Sequence, residues 1–144
     1  VADEELGARV EYVCDRVEAL PDASRFDAAT SVFVAHFIQE RGAKHRFFRA
    51  IARRLRPGAP LLLADLYEGA SGDALEQLTA AWRRAVRRAG MEAEAVENAF
   101  ARMERQIDFV PEDELAKLLD ETGFSAPTRF YQSFLWGAWW TRKT

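Results

Sequence analysis

Two apolar runs with one amphipathic stretch between them set the limits on what this chain can become. Phe26-Asp27-Ala28-Ala29-Thr30-Ser31-Val32-Phe33-Val34 is nearly continuous in apolar and β-branched residues, and Pro60 to Asp65 repeats the pattern over a shorter span. Such runs suit strands covered on both faces, as in parallel sheets. Between them, Gln39 to Arg56 places Phe47, Phe48, Ile51 and Leu55 at helical spacing. Pro57-Gly58 stops that helix, and Arg53, Arg54 and Arg56 stand where cations favour a helix C-terminus. A helix between two buried strands is the crossover of a parallel unit.

The flanking segments extend this α/β pattern. Arg9 to Cys14 alternates and is β-branched, which predicts another strand. The link from Asp15 to Phe26 is near the minimum length for a crossover and holds Leu20-Pro21-Asp22, which is loop chemistry. After Tyr67, a polar loop offers Ser71 as a helix N-cap. Leu75, Leu78, Trp82 and Val86 then stripe one helix face, with Arg83, Arg84, Arg87 and Arg88 largely on the other, and Gly90 breaks it. A second helix is expected from Ala93 to Arg105, with Val96, Phe100 and Met103 inward. Pro111 and three acids open a third, striped by Leu115, Leu118 and Leu119. The aromatic tail from Ser125 to Lys143 reads as an antiparallel hairpin turning around Trp136-Gly137.

A length of 144 residues suits a single domain spanning 1–144, with residues 69–110 as a helical insert. A net charge of −3 argues against general electrostatic binding to nucleic acid. One cysteine, Cys14, cannot form an intramolecular disulfide, so a cytoplasmic location is the default expectation. No apolar run approaches the roughly 18–20 residues of a membrane span. Two histidines and one cysteine, widely spaced, give no metal ligand set.

In open α/β sheets ligands lie outside the carboxyl ends of the strands. Three such ends carry polar residues: Cys14-Asp15-Arg16, Ser31 to His36, and Asp65-Leu66-Tyr67. Asp15 could accept hydrogen bonds from an exocyclic amine, or cap a turn. His36 suits a general base, or a packed histidine at a helix start. His45, between Lys44 and Arg46, is expected to face solvent, and Cys14 to be a small buried hydrophobe. The arginine face reads as solvated and paired with nearby Glu.

These residues resemble a known family. Val13-Cys14-Asp15-Arg16-Val17-Glu18-Ala19-Leu20-Pro21 followed by Phe26-Asp27 is similar to the segment after the third strand of class I S-adenosylmethionine-dependent methyltransferases, and Leu55-Arg56-Pro57-Gly58-Ala59-Pro60 to that family's turn into its fifth strand. The resemblance implies a partial Rossmann-like sheet, strands three to seven, with helices on both faces and a C-terminal antiparallel hairpin. It implies S-adenosylmethionine as cofactor, with Asp15 and Arg16 at the adenine and Ser31, Val32 and Phe33 along the methionine side. His36 and Tyr67 are the candidate catalytic bases for methyl transfer to a small-molecule substrate. The last 45 residues and the helical insert also resemble carboxy-S-adenosylmethionine synthase, an enzyme of a tRNA modification pathway. That resemblance makes Arg102 and Arg105 candidates for binding a substrate carboxylate. The aromatics of the tail read as hairpin core, with Tyr131 and Trp136 as candidates for lining a substrate pocket or meeting a second copy. The family's glycine-rich loop and the acid after its second strand have no counterpart upstream of Arg9. The chain is therefore expected to be N-terminally truncated and a poor cofactor binder alone. Its open sheet edge is expected to favour a homodimer. A non-catalytic dimerisation module is the alternative from a different functional class.

Overall fold

The crossover unit forms as its pattern requires. The computed structural model describes residues 10–22, 26–68 and 73–144. Strand β1 (Ala29–Val32) leads through a 3-10 turn (Ala35–Phe37) to helix α1 (Arg41–Arg54), which returns the chain to strand β2 (Pro60–Leu66). β1 and β2 are parallel, with Val32 opposite Ala64. Gly58, at φ 79°, makes the turn between α1 and β2 in a backbone region that side chains disfavour. Helices α2 (Ala74–Arg88), α3 (Ala93–Gln106) and α4 (Glu112–Glu121) follow, then strands β3 (Thr128–Ser133) and β4 (Trp136–Arg142). The sheet order is β1-β2-β4-β3, with β4 antiparallel to both neighbours.

One face of the sheet carries the core. Leu61 and Leu63 of β2 and Trp139 of β4 pack with Phe48 and Ile51 of α1, with Leu55 just after it, and with Leu115, Leu118 and Leu119 of α4. Each fully buried side chain of this size contributes about 1.5–3 kcal/mol. The predicted stripe of α4 is buried, as are Phe48, Ile51 and Leu55 of the α1 stripe, while Phe47 is half-buried. The alternate residues of β2 and β4 face the other way. There α2 and α3 reach the sheet at its carboxyl end: Trp82 meets Trp136 at 5.7 Å and stacks on Phe134 at 6.2 Å. Val96 and Phe100 are buried beneath this helix pair.

Four expectations change. Val10 to Cys14 form no strand and are exposed, so the described sheet has four strands. A strand exists only with a hydrogen-bonding partner, and among the described residues none borders this segment. Cys14 is accordingly exposed, not buried, and His45 is half-buried. The hairpin turns at Phe134-Leu135, two residues before the expected Trp136-Gly137. Phe134 takes φ 50° there, while Trp136 and Gly137 are held in the ladder opposite Leu66 and Asp65. The N-cap expected at Ser71 lies outside the described residues. No described helix is long and apolar enough to cross a membrane.

Candidate functional site

The parallel pairing of β1 and β2 brings their carboxyl ends together, and the antiparallel β4 brings its start to the same end. Ser31, Val32, Phe33, His36, Asp65, Tyr67 and Trp136 therefore converge there. Phe33 follows β1 at φ 58°, a strained conformation for a bulky residue. Its backbone N–H donates to Ala64 O at 2.8 Å, and its half-exposed ring meets Trp136 edge-on at 4.6 Å.

His36 and Asp65 form the polar centre. The imidazole is 4% exposed and the aspartate 5%. His36 Nδ1 hydrogen-bonds Asp65 Oδ1, which also accepts the backbone N–H groups of His36 (3.3 Å) and Leu66 (3.1 Å). In the neutral imidazole, a proton on Nδ1 directed at Asp65 Oδ1 leaves Nε2 as acceptor. Asp65 Oδ2 is buried with no partner among the described residues. Phe37 packs on the imidazole at 4.2 Å and Trp136 lies 6.3 Å away. Beside them Lys44, 3% exposed, is neutralised by Asp108 at 2.6 Å, and the Asp108 N–H donates to His36 O at 2.9 Å.

Tyr67 is 1% exposed, and its hydroxyl accepts from Arg129 Nη1 at 2.7 Å. Glu112 neutralises Arg129 at 3.1 Å and accepts from Trp139 Nε1 at 3.1 Å. Burial raises the phenol above its ordinary pKa, and the neighbouring guanidinium pulls against that rise. The hydroxyl is thus already engaged.

Along the open side of β1 lies a groove of about 520 Å³ between Val17, Leu20, Ser31, Val32, Val34, Phe47 and Arg54. That volume is in the range of small-molecule sites. Ser31 Oγ is buried there without a partner among the described residues. Asp15 lies just before the 3-10 turn Val17–Ala19 that walls the groove. It is exposed, and its carboxylate accepts the Arg16 N–H at 2.7 Å. Of the residues expected along the cofactor, Ser31 and Val32 line this groove, while Asp15, Arg16 and Phe33 are not among its lining residues.

The other candidates stand apart. Tyr131 is 55% exposed on β3, at the opposite edge of the sheet from β1. Arg102 and Arg105 are exposed on α3, although the carbonyl of Arg105 accepts from Gln39 Nε2 at 3.0 Å. Two of the four arginines expected on the outer face of α2 are paired with glutamates of α3: Arg83 with Glu97 and Glu104, and Arg87 with Glu97. Asp65 as the partner of His36, and the Lys44–Asp108 pair, were not anticipated. The signal for Asp65 was present, since it ends the strand beside the one His36 follows. Among the described residues no group of three or more His, Cys, Asp or Glu could hold a metal ion.

Comparison with known proteins agrees with this architecture. Residues 1–63 match the family described as "Methyltransferase domain". No curated protein sequence matches the chain. Among solved structures, the chain is similar to the 1,6-didemethyltoxoflavin-N1-methyltransferase of Burkholderia thailandensis, with 20% identity, 99% of this chain and 55% of that one covered, and a TM-score of 0.62. It is also similar to the N,N-8-amino-8-demethyl-D-riboflavin dimethyltransferase of Streptomyces davawensis, with 19% identity, coverage of 99% and 37%, and a TM-score of 0.62. An O-methyltransferase family protein of Burkholderia thailandensis gives 13% identity, coverage of 99% and 38%, and a TM-score of 0.66. The chain thus spans between 37% and 55% of the length of these relatives. The fold is that of class I methyltransferases.

Proposed function

We propose that this chain, with its class I methyltransferase fold, contributes to transfer of a methyl group from S-adenosylmethionine to a small-molecule acceptor. The observation that carries the proposal is the convergence of Ser31, Phe33 and the His36–Asp65 pair at one end of the sheet, beside a groove with an unmet buried hydroxyl. Ser31, Val32 and Phe33 would flank the cofactor, and Asp15 would accept from its exocyclic amine. When bound, the cofactor supplies an electrophilic methyl group. Methyl transfer then depends chiefly on holding the acceptor in line. Phe33, Phe37 and Trp136 would hold an apolar acceptor beside His36. Asp65 fixes the imidazole so that Nε2 can take the acceptor's proton. Tyr67, bonded to Arg129, serves better as a wall than as a base. Two of the structural relatives bear names describing methylation of small heterocyclic compounds, which supports this acceptor class.

Carboxy-S-adenosylmethionine synthesis is the weaker reading. It requires a cation at the substrate carboxylate, and both Arg102 and Arg105 are exposed on α3. The dimerisation module rests on the open edge of β1 alone. Calorimetric titration with S-adenosylhomocysteine tests the proposal. Saturable binding that weakens in Asp15→Ala and Ser31→Ala supports it, and the absence of saturable binding overturns it for this chain.

A further inference from the structure

We propose that Arg54 is a positioning residue whose buried guanidinium orders the link carrying Asp15 and Arg16. The inference rests on reading that link as the adenine side of the cofactor site. Arg54 is the last residue of α1 and only 3% exposed. Burial of a guanidinium is unfavourable unless its donors are met; here the two terminal nitrogens are engaged, and Nε is buried with no partner among the described residues. Nη1 donates to Ala50 O one turn back at 2.7 Å. Nη2 donates to Leu20 O and lies 3.4 Å from Asp22 Oδ1. Leu20 closes the 3-10 turn that follows Asp15-Arg16. The main chain holds the other end of the link: Phe26 N–H donates to Arg54 O at 2.8 Å, and Arg56 N–H donates to Phe26 O at 3.1 Å.

The link needs this clamp because it buries little of its own. Asp15, Arg16, Glu18, Ala19 and Pro21 are exposed, and Val17 and Leu20 are only half-buried. Packing cannot fix such a segment, so its order comes from hydrogen bonds to a rigid neighbour. An aliphatic residue would extend the apolar stripe of Phe48, Ile51 and Leu55 without desolvating a charge. What the arginine adds is the two-carbonyl span from Ala50 to Leu20, which its planar fork suits and a lysine's single ammonium does not.

Amide hydrogen exchange on the full chain tests this without any cofactor. In Arg54→Met, a similar length of apolar side chain replaces the fork. Exchange at Ala19 and Leu20, whose amides close the 3-10 turn, is expected to rise about tenfold or more, the effect of losing a hydrogen bond to a charged group. The amides of β2 should keep their protection, and Arg54→Lys should recover only part of the loss. Unchanged exchange at Ala19 and Leu20 in Arg54→Met overturns the proposal. If that variant does not fold, Arg54→Lys decides in the same way, with a smaller rise expected. Adding S-adenosylhomocysteine separates the two readings. Weaker affinity in the loosened variants supports positioning, and equal affinity despite a loosened link overturns it. If the ligand changes nothing even in the unsubstituted protein, the cofactor reading fails, while the exchange contrast still decides the clamp.

Discussion

His36 and Asp65 lie 29 positions apart, yet the imidazole Nδ1 and one carboxylate oxygen meet in a hydrogen bond beneath the carboxyl end of the sheet. The second carboxylate oxygen, Oδ2, finds no partner among the described residues. The pair is one buried unit with one unmet atom, so each member depends on the other.

Asp65→Asn keeps the volume and removes the charge that orients His36. An amide carbonyl can still accept the Nδ1 proton, but as an uncharged and weaker acceptor, and its NH₂ then takes the place of the unmet Oδ2. A destabilisation of about 1.5–3 kcal/mol is expected from weakening a buried charge-assisted hydrogen bond. Urea unfolding at neutral pH measures it, and a change well below 1 kcal/mol (roughly the worth of an ordinary hydrogen bond) would show the pair to be weakly coupled.

Tyr67 gives an alkaline signature. Its phenol is held above the ordinary value of 10.0 by burial, so the folded state keeps a proton that the unfolded state loses first. The stabilising effect is complete below pH 10.0 and is lost as pH rises from there through the raised folded value. Tyr67→Phe should remove this part of the alkaline decline. Thermal melts of both proteins across that range, compared as a difference, check it. Identical slopes would count against the buried phenol.

Gly137 sits in β4 with no room for a side chain. A Cβ there would collide with the Trp139 ring and stand 2.8 Å from Tyr67 Cε1. Those two rings pack edge-to-face at 4.8 Å. Gly137→Ala must displace one of them, and a loss of about 1–3 kcal/mol is expected from overpacking. Chemical denaturation measures this, with near-UV circular dichroism reporting the displaced tryptophan.

Trp82 anchors the α2–α3 pair. No described residue of α2 is fully buried, so its packing rests on this ring's contacts with Phe100, Phe134 and Trp136, together with the Arg83 and Arg87 ion pairs to α3. Trp82→Ala should raise amide exchange throughout α2 and α3 while β2 and β4 stay protected. A uniform rise across the chain would mean that the helices and sheet unfold together.

Ser31→Ala removes a buried hydroxyl that has no partner among the described residues. Stability should be unchanged or rise by up to about 1 kcal/mol, because an unmet polar group is a penalty in the folded state. Affinity for S-adenosylhomocysteine should fall. A clear loss of stability would show that the hydroxyl is satisfied within the protein.

Much of this fold was determined by sequence alone. The β1–α1–β2 unit followed from two apolar runs and one helical stripe, since strands buried on both faces and joined by a helix form the crossover of a parallel unit. Leu115, Leu118 and Leu119, and Val96 with Phe100, were legible because helical periodicity marks a buried face wherever the helix packs. Local pattern also suggested a strand at Arg9–Cys14. Only the tertiary structure decided otherwise there, because strand character is completed by a partner elsewhere in the chain. The hairpin turn depended on register: pairing of Leu66 with Trp136 placed the reversal at Phe134-Leu135. The site divides in the same way. Ser31, Phe33 and His36 could be named from a strand end, because a strand end is a local feature. The Asp65 that orients His36, the Asp108 that neutralises Lys44 and the Leu20 carbonyl that engages Arg54 are distant in sequence. Such pairs are set by how strands and helices come to lie beside one another, which no local pattern encodes.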